Sequence, residues 1–295
     1  MSKKGILICG HGTRKERGAK AFQEFAEKFA AITSDYEVEY GFLELSEPDF
    51  ETGVKRLVEK GVSEIVAVPV FLFTGVHIQR DIPYALNSFQ EKYNVKIQLA
   101  NYIGTCNEMV EYGAELINNT IADKEWKAED TAFLALGIGA SKPEANGDLA
   151  KMTRLIQEKQ NYPFAVNAYT SSMTYPALPP VLDWLKVLPF KNIVMLPFVF
   201  FPGVYMDRAY ETMEVFAKEN PDKNIAIAPL LGDTDGLFDV LKTRLQEVLD
   251  GKVDLIESTD LTGVEPHHHH HHHHHHGHDH GHCHGHSHDH GHHHH

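Results

Sequence analysis

Short apolar runs alternate with longer amphipathic segments over the first 122 residues of the chain. The short runs are rich in aliphatic and β-branched side chains, which is typical of buried parallel strands, and they cover residues 5–9, 36–43, 64–70 and 95–100. The longer segments have helical spacing and predict helices at residues 17–32 and 46–61, from about residue 78, and from just after Gly104-Thr105 to about residue 122. The second helix is expected to have Pro48 in its first turn and to end at Gly61. This alternation predicts an α/β fold built on a doubly wound, parallel four-stranded sheet.

The same pattern occurs a second time in the chain. The segment PVFLFTGVHIQR at residues 69–80 aligns with PFVFFPGVYMDR at residues 197–208, a displacement of 128 positions. Backbone-shaping residues and one arginine recur at this displacement: Pro48 and Pro176, Pro69 and Pro197, Gly75 and Gly203, Arg80 and Arg208, Gly104 and Gly232. A period of this length indicates a duplicated domain and not a short solenoid repeat. We therefore predict two tandem flavodoxin-like domains at residues 1–124 and 125–250, followed by a linker and tail at 251–295.

Two histidines follow predicted strands. His11 lies between Gly10 and Gly12, directly after the first strand, and His77 follows Gly75 after the third; residues 1–266 contain no other histidine. In a doubly wound sheet the first and third strands are neighbours about 4.8 Å apart, and a crevice opens between their carboxyl ends. Two imidazoles on the rims of that crevice predict a site for a divalent metal such as cobalt, nickel, iron or zinc. Two protein ligands leave coordination positions open, which suits a metal in transit.

The second copy keeps the prolines and glycines but lacks these imidazoles and carboxylates. The first-copy residues and their second-copy counterparts are His11 and Ile138, Glu44 and Ser172, Glu47 and Tyr175, and His77 and Tyr205. This one-sided loss favours a functional role for the first set. Glu44 and Glu47 follow the second strand and are expected to add negative charge to the crevice, to hold a base or to steer a cation.

Composition limits the partners of the chain. The formal net charge of −14 argues against nucleic acid and against anionic membrane surfaces as partners. The three cysteines, Cys9, Cys106 and Cys283, are far apart in sequence and predict no disulfide framework. The longest apolar stretch, residues 193–206, is broken by prolines and is shorter than the roughly 20 residues that span a bilayer. With no signal-peptide pattern at the N-terminus, we predict a cytoplasmic protein.

The last 29 residues, 267–295, include 21 histidines and no aliphatic or aromatic side chain. Such a segment is predicted to be disordered without metal. The run at residues 267–276 alone would fit a purification tag, but the interleaved GHDHGHCHGHSHDHGH favours a native tail that binds divalent transition metals.

Three N-terminal segments together resemble the class II tetrapyrrole chelatases: GHGTR at residues 10–14, FLELSEP at 42–48 and PVFLFTGVHIQRDIP at 69–83. The resemblance covers about residues 4–250. The histidine-rich end is similar to that of the long, two-domain sirohydrochlorin cobaltochelatases. Some long relatives also carry a cysteine motif for an iron–sulfur cluster, whereas Cys283 is alone in the tail of this chain, so we predict no such cluster within one chain.

The resemblance implies an ATP-independent lyase that inserts a divalent metal, foremost Co²⁺, into sirohydrochlorin with release of two protons, an early step of cobalamin biosynthesis. It implies no cofactor beyond the substrate metal, for which Fe²⁺ and Ni²⁺ are the alternatives to Co²⁺. It assigns catalysis and metal binding to His11 and His77, with His11 as the proton acceptor. It assigns macrocycle contacts to Glu47, Leu72, Phe73, Thr74, Gly75 and Val76. The basic side chains of Arg14 and Arg80 are expected to hold carboxylates of the substrate.

Three other functions stay open at this point. A sirohydrochlorin ferrochelatase of siroheme biosynthesis would use much the same pocket. A non-enzymatic metal storage or chaperone protein would bind metal through the tail without macrocycle chemistry. A flavodoxin-like phosphate-binding protein would use the strand-end loops, but Gly10-His11-Gly12 lacks both the G-x-G-x-x-G pattern and a Walker lysine.

Overall fold

The computed structural model describes residues 3–75, 80–232 and 234–260, all of which belong to one compact unit. The first half consists of β1 (Lys3–Gly10), α1 (Glu16–Ile32), β2 (Glu37–Phe42), α2 (Phe50–Glu59), β3 (Val62–Pro69), α3 (Ile82–Tyr93), β4 (Lys96–Leu99) and α4 (Asn107–Ile121). A 3₁₀ turn at Ala128–Asp130 leads into the second half. That half consists of β5 (Thr131–Gly137), α5 (Pro143–Gln160), β6 (Phe164–Tyr169), α6 (Leu178–Val187), β7 (Asn192–Pro197), α7 (Val204–Glu219), β8 (Asn224–Ile227), α8 (Gly236–Leu249) and the short α9 (Leu255–Ser258).

The eight strands form two parallel sheets of identical topology. The strand order is β2-β1-β3-β4 in the first sheet and β6-β5-β7-β8 in the second. Strands β1 and β3 pair directly, with Cys9 opposite Pro69 at their carboxyl ends. The predicted α/β fold, with tandem four-stranded parallel sheets, is therefore confirmed. The predicted disordered tail lies outside the described residues.

Helix α2 starts later than the sequence pattern predicts. Asp49 is its N-cap, and the Asp49 carboxylate accepts a hydrogen bond from the Thr52 N–H at 2.8 Å. A side-chain oxygen here satisfies an N–H group that has no partner inside the helix. Pro48 consequently precedes the helix and does not lie in its first turn, which corrects that expectation. The end of α2 agrees with the sequence prediction, because Gly61 adopts a left-handed φ of 83° just beyond the C-cap.

The helices of the first half pack on opposite faces of its sheet. Alternate residues of β1 belong to different cores: Ile6 and Ile8 pack with α1 and α4, whereas Leu7 and Cys9 pack with α2 and α3. The chain thus leaves β1 and β3 toward opposite faces, as the doubly wound topology requires. The carboxyl ends of β1 and β3 form the switch point at which the sequence places its site.

The two halves share one core. The cluster that contains Ile6 and Ile8 continues through Phe133 and Leu196 of the second sheet, with helices α1, α4, α5 and α8 between the sheets. Aromatic rings of α1 contact the second half directly: the Phe25 and Phe238 centroids are 4.9 Å apart, and those of Phe22 and Phe201 are 5.4 Å apart. Such pairs contribute about 0.5–1.5 kcal/mol each beyond the burial of apolar area. The halves are therefore joined by buried side chains and not only by the chain connection.

The chain returns to the first half after α8. Ile256 of α9 is buried in the core that α2 and α3 share. The Asp254 carboxylate accepts hydrogen bonds from the Ile256 N–H at 3.0 Å and from the Leu99 N–H of β4 at 3.2 Å. Residues 251–260 thus cover part of the β4 edge. Among the helices described, none combines the length and the apolar character needed to cross a membrane.

Candidate active site at the sheet switch point

The loops that follow β1 and β2 run side by side at the carboxyl edge of the first sheet. The Leu43 N–H donates to the Gly10 carbonyl at 2.8 Å, and the Glu44 N–H donates to the His11 carbonyl at 3.1 Å. The Ser46 hydroxyl completes the contact, because it donates to the Thr13 carbonyl at 2.8 Å and accepts from the Thr13 N–H at 3.0 Å. These bonds fix the backbone of His11 relative to that of Glu44.

Gly12 makes this close approach possible. Its φ is +96°, and a Cβ at this position would lie 1.7 Å from the Glu44 carbonyl oxygen. A residue with a side chain would therefore push the two loops apart. Gly139 occupies the same place in the second half with a φ of +93°. The duplication has preserved the backbone geometry of this loop.

The structure brings the His11 imidazole and the Glu44 carboxylate together. His11 Nε2 lies 3.6 Å from Glu44 Oε1, with 44% of the His11 side chain and 26% of the Glu44 side chain exposed. The Phe71 ring also lies near the imidazole, with centroids 6.0 Å apart and planes tilted by 44°. An imidazole flanked by a carboxylate and a half-buried aromatic ring, and still open to solvent, can bind a metal ion or accept a proton.

The segment after β3 is held by the loop after β4. The Ile103 N–H donates to the Phe71 carbonyl at 3.0 Å, and the Gly104 N–H donates to the Leu72 carbonyl at 2.8 Å. Of the predicted macrocycle contacts, Leu72 is buried in the shared core, Phe73 packs against that core, and Phe73, Thr74 and Gly75 are all partly exposed. Val76 and His77, which the sequence also places in the site, lie outside the described residues.

The remaining predicted site residues lie on the same edge. Glu47 is exposed, and its carboxylate accepts a hydrogen bond from the Asp49 N–H at 3.1 Å. Arg14 is exposed in the loop before α1. Arg80 lies beside a carboxylate of its own segment, with Nε 3.6 Å from Asp81 Oδ1. Charged side chains of both signs therefore lie in the segments that follow β1, β2 and β3.

Cys9 precedes His11 by two residues but is not available as a metal ligand. Its side chain is fully buried, and burial raises the pKa of the thiol far above its usual range. The protonated thiol donates to the Leu7 carbonyl, with Sγ 3.6 Å from the oxygen. Within residues 3–75, 80–232 and 234–260, no group of three or more His, Cys, Asp or Glu side chains is placed to hold a metal. To hold a metal ion, His11 and Glu44 would need at least one further donor.

The second half has the same loops with different side chains. The Thr170 N–H donates to the Gly137 carbonyl at 3.0 Å, and the Ser171 N–H donates to the Ile138 carbonyl at 2.8 Å, which repeats the bonds at Gly10 and His11. The counterparts of His11, Glu47 and His77 are exposed and apolar or aromatic: Ile138 is 37% exposed, Tyr175 80% and Tyr205 43%. The second half thus keeps the backbone of these loops without the imidazoles and carboxylates of the first half.

A protein-family model described as CbiX matches the chain twice, at residues 5–120 and 132–248. The chain belongs to the CbiX family. The two matched stretches each contain one of the four-stranded sheets, so the family match and the duplicated fold agree. The membership confirms the resemblance to class II chelatases drawn from the three sequence segments.

Two curated relatives of this CbiX family chain come from Priestia megaterium. A sirohydrochlorin cobaltochelatase is 34% identical over 85% of this chain and 82% of its own length. A sirohydrochlorin ferrochelatase is 29% identical over 84% of this chain and 91% of its own length. Among solved structures, SirB from Bacillus subtilis with Fe³⁺ is 25% identical and has a TM-score of 0.75 over 86% of this chain and 99% of that one.

The sequence pattern leaves two features of this site unspecified. The role of Glu44 is open in the sequence, and only the backbone bonds between the β1 and β2 loops bring its carboxylate to His11. Phe71 looks like an ordinary continuation of the strand, yet its ring lies beside the imidazole. A signal for Glu44 does exist, because both candidate counterparts in the second half are serines: the 128-residue displacement aligns Glu44 with Ser172, and the backbone bond to Ile138 places Ser171 at its position.

Proposed function

We propose that this chain inserts Co²⁺ into sirohydrochlorin. The observation that carries the proposal is the pairing of His11 Nε2 with Glu44 Oε1, 3.6 Å apart, at the switch point of a CbiX family fold. His77 is proposed as the third donor, because it follows the adjacent strand β3 and has an aromatic counterpart in the second half. A mixed set of imidazole and carboxylate ligands suits a borderline divalent metal, and three protein ligands leave positions for the incoming pyrrole nitrogens.

The reaction that these residues would carry out involves no change in oxidation state. Two pyrrole N–H bonds break and leave their electron pairs on nitrogen, the metal exchanges its protein ligands for the four nitrogens of the macrocycle, and two protons leave. The site must therefore hold the metal loosely enough to release it and also accept protons near neutral pH. Imidazole suits both tasks, and we assign the proton acceptor role to His11. Glu44 would stabilise the positive charge that the metal, and then the protonated imidazole, brings to this position.

The macrocycle is proposed to lie over the exposed edge of Glu47 and the segment that ends in Thr74, Gly75 and Val76. If Gly75 carried a Cβ atom, no described atom outside the adjacent residues would lie within 4 Å of it. This position therefore has room for a flat ligand. Arg14 and Arg80 are proposed to bind the peripheral carboxylates of sirohydrochlorin.

Iron insertion is the second candidate, and a specific observation favours it. The ferrochelatase relative covers nearly the same length of this chain as the cobaltochelatase relative, at an identity only five points lower. Imidazole and carboxylate donors do not separate Co²⁺ from Fe²⁺. The site residues therefore support metal insertion, but they do not favour Co²⁺ over Fe²⁺.

An anaerobic absorbance assay with sirohydrochlorin and Co²⁺, Fe²⁺ or Ni²⁺ tests the proposal. We expect the largest kcat/KM with Co²⁺. A larger value with Fe²⁺ would make the chain a ferrochelatase, and product formation with none of the three metals would leave a metal storage or chaperone protein as the better description.

A chain cut after Pro266 is expected to retain its turnover at saturating Co²⁺ and to lose activity when Co²⁺ is scarce. The reason is that residues 267–295 offer no apolar side chain to a core, whereas their imidazoles, joined covalently to the enzyme, raise the local metal concentration. The measurement is turnover against free Co²⁺ for the full and the cut chain. The difference should fade below about pH 6, because protonated imidazoles do not ligate metals. Superimposable curves at every Co²⁺ concentration would exclude a delivery role for the tail.

A further inference from the structure

Leu45 has an uncommon backbone conformation in the loop after β2. Its φ is +65°, in the left-handed region that residues with a bulky side chain rarely adopt. The Ser46 N–H donates to the Glu44 carbonyl at 2.8 Å, so Leu45 is the central residue of a γ-turn of the rare, strained form. The other non-glycine residues with a left-handed φ in the described ranges are Asn94 and Asn161, both helix C-caps, where asparagine is a usual choice.

The second half builds the equivalent loop without this strain. Both loops close with the same backbone bond, from the Phe42 N–H to the Pro48 carbonyl at 2.8 Å and from the Tyr169 N–H to the Pro176 carbonyl at 3.0 Å. The second loop is one residue longer, and none of residues 170–176, all of them described, has a left-handed φ. The fold therefore permits a relaxed loop here, and the γ-turn belongs to the half that carries the imidazoles.

The γ-turn lies directly beside the candidate metal site. The Glu44 N–H donates to the His11 carbonyl at 3.1 Å, and the Glu44 carbonyl oxygen accepts from Ser46 and lies against Gly12. The backbone on which the Glu44 carboxylate is mounted is therefore fixed on both sides. The Leu45 side chain, in contrast, is 49% exposed and belongs to none of the three apolar cores formed by the described residues.

The conformation and the exposure of Leu45 both lower the stability of the free chain, because the backbone is strained and an apolar side chain is left in water. Strained backbone of this kind concentrates at ligand-binding sites. A leucine side chain has no hydrogen-bond donor or acceptor, so a ligand that gains from it must present an apolar surface. The flat conjugated ring of a tetrapyrrole presents such a surface.

We infer that Leu45 is a binding residue for the macrocycle, and that its γ-turn keeps the leucine side chain available to the ring next to the Glu44–His11 pair. The inference rests on the proposed function and adds a contact to those proposed for Glu47 and the segment after β3. An apolar contact acts on the macrocycle whether or not metal is present. Loss of Leu45 should therefore weaken the binding of sirohydrochlorin and leave the binding of Co²⁺ unchanged.

The test compares Leu45→Ala and Leu45→Gly in the full-length chain. The first measurement is the Kd for metal-free sirohydrochlorin, from the change in tetrapyrrole absorbance during titration. We expect both variants to raise this Kd by about 5- to 10-fold, because the ring can cover about half of the leucine side chain. The KM for sirohydrochlorin should rise with the Kd, whereas kcat and the KM for Co²⁺ should stay within about twofold.

The same two variants report on the strain through their thermal unfolding. Alanine keeps the unfavourable left-handed φ, whereas glycine adopts it readily. Leu45→Gly should therefore unfold about 2–4 °C above Leu45→Ala. At an unstrained loop position the order would be reversed, because glycine increases the conformational entropy of the unfolded chain.

Leu155→Ala is the matched control. Leu155 is a 39% exposed leucine in α5 and has no place in the proposed site, so its loss should leave the Kd and the kinetics unchanged. An unchanged Kd in Leu45→Ala, an equal rise of the Kd in Leu155→Ala, or a lower unfolding temperature for Leu45→Gly than for Leu45→Ala would each overturn the inference. An unchanged chain that binds no sirohydrochlorin would overturn the proposed function itself.

Discussion

Replacement of His11 by alanine is expected to lower the rate of metal insertion by about 100-fold or more, because it removes both a metal donor and the proposed proton acceptor. The same loss is expected for His77→Ala, which removes the second imidazole donor. The His11 side chain is 44% exposed and lies outside the cores, so the free energy of unfolding should change little. The measurement is the initial rate of Co²⁺ insertion into sirohydrochlorin, together with thermal unfolding of each variant.

The duplicated half provides matched controls for these substitutions. Ile138→Ala and Tyr205→Phe alter the counterparts of His11 and His77 on the same backbone framework, and both should keep turnover within severalfold of the unchanged chain. Near-normal rates in both histidine variants would mean that the metal binds elsewhere. A complete loss of activity in a folded Tyr205→Phe variant would mean that the second crevice takes part in the chemistry.

The second large effect is expected on stability. Phe238→Ala in α8 should destabilise the chain by about 3–5 kcal/mol, because it opens a cavity in the core that both sheets share. Phe238 belongs to the second half but contacts Phe25 and Phe29 of α1, with centroids 4.9 and 5.7 Å away. We therefore expect the first half to lose stability together with the second.

Native-state hydrogen exchange at the amides of β3 and β7 measures this coupling, since each strand is central in its own sheet. Phe238→Ala should lower protection in both strands by the same free energy. Phe50→Ala is the matched control, because Phe50 packs only in the outer core of the first half. If the halves unfold as one unit, this variant should also lower protection in both strands. A loss confined to β3 in Phe50→Ala and to β7 in Phe238→Ala would show that the halves unfold independently.

The topology is predictable from the sequence because local signals agree with it. The apolar runs that become β1 and β3 are buried on both faces, and the recurring glycines and prolines place equivalent loops in both halves. The position of His11 follows from the same reasoning, because a residue directly after a buried strand lies at the carboxyl edge of the sheet. These inferences need no knowledge of which side chains touch.

Contacts between distant segments are not predictable in this way. The periodicity of α1 shows that Phe22, Phe25 and Phe29 share one face, but it does not show that a helix of the second half covers that face. The distance between His11 and Glu44 depends on a backbone approach that the left-handed Gly12 permits. The late start of α2 depends on the competition between Asp49 as N-cap and Pro48 as first-turn residue, which the spacing of apolar residues cannot resolve.

The return of α9 to β4 has a consequence for how the chain behaves in solution. β4 is an edge strand, and an uncovered edge offers unpaired N–H and C=O groups to another chain. The Asp254 carboxylate accepts a hydrogen bond from the Leu99 N–H, and the Ile256 side chain packs in the apolar core beside it. A chain shortened to residue 250 would expose both, so we expect it to associate edge to edge, whereas a chain ending at residue 266 keeps this edge covered.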